Sequence, residues 1–154
     1  MFTLSHSSRG VTVVDQLLRD IENAFKENIL ESIYDILKLD DRQARTLIGF
    51  TSVTAYRRVH EIVTSALDEV IRRKPSTEEL KRISLLLARA LVLIEYQEAR
   101  EQITSGLATV LKRVMQQLID DITKKKDVSI VVKDAEYARA LLDAIAVLVY
   151  KYGR

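Results

Sequence analysis

Apolar residues recur along this chain at the three- and four-residue steps of a helix. Leu18, Ile21, Phe25, Ile29 and Ile36 share one face over about residues 12 to 37, which predicts a first helix. KLDDRQ interrupts the pattern. Asp40 followed by Gln43 has the spacing of a capping box, in which each side chain satisfies a free backbone N–H of the other, so a second helix is predicted from here to about Lys74. Its inward stripe is Ala44, Ile48, Ala55, Val59, Ile62 and Ala66. Pro75 ends it, because proline lacks the N–H that a continuing turn requires, and Ser76 with Glu79 forms another capping box.

The third helix carries Leu80, Ile83, Leu87, Ala90 and Ile94 inward as far as about Gln102, and Thr104-Ser105-Gly106 marks a break or kink. A fourth, over about 105 to 124, presents Leu107, Leu111, Val114, Leu118 and Ile122. The β-branched run VSIVV (128 to 132) suits a strand but has no second strand to pair with, and reads as an apolar connector. Asp134 then caps a last helix, with Tyr137, Leu141, Ile145, Leu148 and Tyr152 on one face and Ala138, Leu142 and Val149 widening it. So narrow a polar stripe (Arg139, Asp143, Lys151, Arg154) implies enclosure by other helices or by another subunit. The expectation is an all-α, compact bundle of about five helices in one domain over 1–154, with 1–10 as a mobile terminus.

Composition supports this class. Four Gly and one Pro in 154 residues are too few for a turn-rich β fold, and a chain this long buries about 68 to 70% of its unfolded surface without staples. No cysteine is present, which excludes disulfides, thiolate metal sites and a cysteine nucleophile. No uncharged apolar run approaches the ~18 residues of a bilayer span, and the first residues lack the pattern of a secretory signal, so a cytoplasmic protein without a membrane partner is expected.

The net charge of +2 conceals a division. Residues 11 to 41 hold three basic and eight acidic side chains, net −5; residues 42 to 74 hold seven and three, net +4; residues 104 to 133 hold six and three, net +3. On the second predicted helix, positions 42, 46, 49, 53, 57, 60 and 64 lie opposite the core stripe, which groups Arg42, Arg57 and His60, with Arg45, Phe50 and Tyr56 flanking. Cations beside exposed aromatic rings suit a nucleic-acid strand, since Arg and Lys neutralise phosphates while rings stack on unpaired bases. A merely solvated charged face is the ordinary alternative.

Motifs for chemistry are missing. Two histidines, His6 and His60, cannot build a His-rich metal site, and no cofactor or metal is expected. His60-Glu61 lacks the second histidine of HExxH, leaving His60 a surface residue or an RNA contact. The pairs Asp40-Asp41 and Asp120-Asp121 diverge by about 100° on a helix and do not converge on one ion. There is no phosphate-binding glycine loop and no GxSxG, so the chain is not expected to be an enzyme.

Four stretches carry a further reading. They are LDDRQARTLIGF with Gln43-Ala44-Arg45, ELKRISLLLARALVLIEYQEAR ending in Tyr96-x-x-x-Arg100, GLATVLKRVMQQLI, and LLDAIAVLVYKYG with Asp143, Ala144, Ile145, Tyr152 and Gly153. In this order they resemble the small α-helical subunit of type III-A (Csm-type) CRISPR interference complexes, over about residues 39 to 154. Small subunits of other type III complexes share the likeness. The family's terminal Tyr-His step is Leu148-Val149 here.

The resemblance implies a non-catalytic subunit, repeated beside the backbone subunits that carry the guide RNA and laying a basic surface along the target RNA. On this reading Arg42, Arg45, Arg57 and Arg58 on the second helix, and Lys112 and Arg113 on the fourth, contact target-strand phosphates. Arg100 joins them through its Tyr-x-x-x-Arg match, with an ion pair to Glu98 or Glu101 as its alternative role. A reading from a different class is a helical adaptor or self-associating scaffold, in which the acidic first helix meets a basic helix of a neighbour.

Overall fold

The computed structural model describes residues 12–27, 36–73, 75–124 and 127–154. Six helices fill the chain there: α1 (Val13–Glu27), α2 (Asp41–Ile48), α3 (Val53–Arg73), α4 (Thr77–Ala99), α5 (Ser105–Thr123) and α6 (Val128–Tyr152). Among the described residues there are no strands. The terminus at 1–10 and Ile29 of the predicted first helix lie outside the described residues.

Local chemistry sets the helix starts. Asp40 Oδ1 accepts from the Gln43 N–H at 2.8 Å, and Gln43 Oε1 accepts from the Asp40 N–H at 3.3 Å. Ser76 and Glu79 repeat the arrangement at 3.3 and 3.2 Å. Thr104 caps α5 and also reaches across to α2, its hydroxyl donating to the Leu47 carbonyl at 3.0 Å. The break expected at Thr104-Ser105-Gly106 thus falls just ahead of it, in the loop at 100–104.

Packing follows the predicted stripes in α4, α5 and α6, whose expected core residues are buried except for half-buried Tyr152. α3 packs along α6 and α4, α4 along α5, and α1 against α5, while α2 packs against α1, α5 and α6. Ile21 and Ile36 are buried, with Leu18 and Phe25 packed at the margin. The apolar α6 is therefore covered mainly by α3, and no described helix is long and apolar enough to cross a membrane.

Three expectations need correction. First, the predicted second helix is two helices. Gly49 takes φ +50° and ψ −128°, a backbone conformation favouring glycine, and a Cβ there would lie 2.6 Å from Thr104 Cγ2. Beyond the elbow at 49–52, Ala55, Val59 and Ala66 of the predicted stripe stay buried, but the inward face is not the one the period implies throughout. Ile62 is 42% exposed, Val63, Leu67 and Val70 face the core instead, and Thr64, placed on the outer face by periodicity, is buried. Second, VSIVV forms the opening turn of α6. Asp127 caps it by accepting from the Ser129 N–H at 3.0 Å, and burial of Val131 offsets a helix-propensity cost of only tenths of a kcal/mol per β-branched residue. Third, Asp134 is not the cap but a buried residue inside α6.

Candidate nucleic-acid interface

The α2–α3 elbow is held by the main chain of two distant segments. The Ser52 N–H donates to the Gln102 carbonyl at 2.8 Å, the Arg154 N–H to the Thr51 carbonyl at 2.8 Å, and the Val53 N–H to the Arg154 carbonyl at 3.0 Å. Thr51, fully buried, accepts through its hydroxyl from the Thr104 N–H at 3.2 Å. Gly153 fits because it has no side chain: a Cβ would come within 2.4 Å of the Val149 carbonyl oxygen and 3.0 Å of that of Thr51. The elbow, the α4–α5 loop and the end of α6 therefore meet at one end of the bundle.

Guanidinium groups and aromatic rings are paired around this end. Arg45 lies over the Tyr152 ring at 5.1 Å, Arg57 over Tyr150 at 5.8 Å, Arg100 over Tyr96 at 5.4 Å and Arg154 over Phe50 at 5.8 Å. Lys151 approaches the Tyr152 ring at 5.4 Å. Phe50, Tyr96 and Tyr150 are exposed. Such exposed pairs contribute about 0.5–1 kcal/mol each, enough to orient a guanidinium without neutralising it.

Hydrogen bonds refine the set. Arg57 donates through Nε to the Tyr150 hydroxyl at 3.2 Å, and that bond is the first cause of its raised pKa. The Tyr152 hydroxyl donates to Asp41 at 2.5 Å, which holds its proton above the ordinary phenol range. Arg100 donates to the Tyr96 hydroxyl at 3.3 Å.

Each predicted site residue now has a place. Arg42 and Arg58 are exposed and have no ion-pair partner among the described residues. Arg45, Arg57 and Arg100 lie against rings, as above. Glu98 is taken by Lys112 at 3.1 Å, so the ion pair considered for Arg100 is made elsewhere. Lys112 also binds Glu95 at 2.9 Å, the leading cause of its raised pKa, and Arg113 pairs with Glu22 of α1. These two residues therefore carry their own counter-charges and stand apart from the ring-paired arginines.

Two flanking residues have other duties. Tyr56, expected beside the exposed face, is buried and donates to the Leu142 carbonyl at 2.6 Å; burial pushes its hydroxyl pKa well up. His60 bonds Asp143 at 2.9 Å, within an α3–α6 ladder in which Arg139 binds both Asp143 and Asp68. The elbow also means that Arg42 and Arg57 do not share a helix face.

No protein-family model, curated protein or solved structure matches the chain. Sequence reasoning missed Tyr150 and Tyr152 as partners of Arg57 and Arg45, Arg154 as the partner of Phe50, and Gln97, Ser52 and Gln102 between Arg58 and Arg100. The available signal was Ser52, a good cap residue three positions after a glycine.

Proposed function

We propose that this chain is a non-catalytic RNA-binding subunit that presents the ring-paired end of its bundle to a single strand. The observation that carries the reading is the pairing of exposed aromatic rings with arginines that have no carboxylate partner. Guanidiniums held this way can take phosphates, and the adjoining rings offer faces on which unpaired bases stack. Arg42, Arg45, Arg57, Arg58 and Arg100 form the surface; Lys112 and Arg113, neutralised within the fold, are left out of it.

The finer reading, a small subunit of a cytoplasmic type III CRISPR complex packing beside backbone subunits along target RNA, rests on the sequence resemblance. Of the residues that carry that resemblance on α2 and α6, Arg45 and Tyr152 form one ring pair and Gly153 packs against the elbow, while Gln43 caps the start of α2. A second reading, a helical adaptor, draws on α4: Leu85 and Val92 are 56% and 69% exposed on one face with Tyr96. The acidic α1, in contrast, already uses Glu22 within the chain.

The test is fluorescence anisotropy of labelled single-stranded RNA titrated with the protein, and with its complex, over a salt series. Reversing charge at Arg45 and Arg57 should abolish binding, while Lys112→Ala should leave affinity unchanged. Each lost phosphate contact lowers the slope of log K against log salt by about 0.7. Unchanged affinity after the double reversal would refute the assignment.

A further inference from the structure

Between the first turn of α3 and the end of α4 lies a recess of about 160 Å³ lined by Ser52, Thr54, Ala55, Arg58, Gln97, Arg100 and Gln102. Pockets that enclose whole small molecules run to about 300–1,000 Å³, so this one suits a single compact group and not a nucleoside.

Its polar groups are unsatisfied in one direction. Gln97 is only 5% exposed, yet its carboxamide has no hydrogen-bond partner among the described residues. Among the described residues no fully covered side-chain polar atom lacks a partner, so the carboxamide emerges at the recess instead of being sealed in the core. Arg58 and Arg100 are both without ion-pair partners among the described residues. At the start of α3, the Ser52, Val53 and Ala55 N–H groups are taken by the Gln102 carbonyl, the Arg154 carbonyl and the Ser52 hydroxyl, which leaves the Thr54 N–H without an acceptor among the described residues.

We propose that this recess seats one phosphate group of the bound strand, an inference that rests on the RNA reading above. Two guanidiniums supply fork-shaped donors for a tetrahedral oxyanion, the Thr54 N–H adds the positive end of a long helix, and the Gln97 carboxamide adds a neutral donor. The backbone of the seat is fixed before any ligand arrives, because Gln97 O accepts from the N–H groups of Gln102 and Ile103 at 2.8 and 3.3 Å while Gln102 O holds Ser52. The Gln97 amide thus has a role that core packing alone would not require, since leucine would fill a similar volume without an unpaired polar group.

The experiment has two arms on the full chain. Inorganic phosphate is titrated into isotopically labelled protein while the Gln97 side-chain and Thr54 backbone amide resonances are followed, then single-stranded RNA is titrated into wild type, Gln97→Leu and Arg58→Ala. Phosphate should move both resonances in wild type and neither in Arg58→Ala. Gln97→Leu should keep or raise the melting temperature yet weaken RNA about tenfold, the scale of one hydrogen bond to a charged group. Failure of phosphate to move Gln97 and Thr54 would overturn the seat even if RNA binds. RNA affinity unchanged in Gln97→Leu would overturn its use by the strand. Phosphate binding with no RNA binding by any form of the protein would refute the RNA reading and leave an anion seat serving another ligand. Stronger shifts from an aspartate-rich peptide than from phosphate would replace the phosphate assignment.

Discussion

Replacing Gly49 with alanine tests how the basic end is assembled. The backbone at φ +50° and ψ −128° is unfavourable for an L-residue and would cost about 1–3 kcal/mol. The new Cβ would also stand 2.6 Å from Thr104 Cγ2, and Thr104 cannot turn away without giving up its bonds to the Leu47 carbonyl and the Leu107 N–H. Each of those bonds is worth about 1 kcal/mol. The smaller entropy of an unfolded alanine returns about 0.4–1 kcal/mol. The net expectation for Gly49→Ala is a loss of about 2–4.5 kcal/mol by the same terms.

A second substitution separates strain from collision. Thr104→Ser keeps the hydroxyl and removes the methyl, which alone should cost less than about 1 kcal/mol. In the Gly49→Ala background it should recover about 1–2 kcal/mol, a coupling read from urea denaturation of the four proteins by far-ultraviolet circular dichroism. Additive effects would show that the methyl is not the obstacle. A loss under about 1 kcal/mol for Gly49→Ala alone would refute the claim that the elbow requires glycine.

Two further outcomes are expected. Tyr56→Phe removes a buried hydrogen bond to Leu142 without stranding a donor, and should lower unfolding free energy by about 1 kcal/mol in the same denaturation assay. Glu79 has a pKa held below its usual value, first by its bond from the Ser76 N–H. A carboxylate depressed in the folded state stabilises above its unfolded pKa, about 4.3, and that contribution fades as pH falls through the folded value. Glu79→Gln keeps the capping geometry but lacks the charge. The melting-temperature gap between wild type and variant should therefore narrow as pH is lowered from neutral through the carboxylate range, and a constant gap would contradict this account.

Helix class and most of the core were legible because they follow from local spacing. The stripes of α4, α5 and α6 needed only a 3.6-residue period, and Asp40/Gln43 and Ser76/Glu79 needed only an offset of three. The elbow was hidden because Ile48 and Ala55 stand seven apart, so a continuous helix accounts for both as well as two helices do. VSIVV misled because β-branching is a weak preference that a cap and one buried valine outweigh. At the site, Arg45, Arg57 and Arg100 could be picked out by charge. Their rings on α6 could not, since Tyr150 lies 93 residues beyond Arg57 and no local rule links the two. Gln97 looked like any polar residue near a helix end until its unpaired amide was placed beside two arginines.

The elbow's attachments also determine when this end can form. The α4–α5 pair closes through a short loop and can arise early, whereas Arg57–Tyr150 and Asp41–Tyr152 bridge 93 and 111 residues, and closing such long loops is entropically slow. The arginine-rich elbow end should mature after the helical hairpins. Amide exchange at Val53 and Arg154 would then detect partial opening that leaves α4 and α5 protected, so the arginine-rich end loosens without melting the bundle behind it.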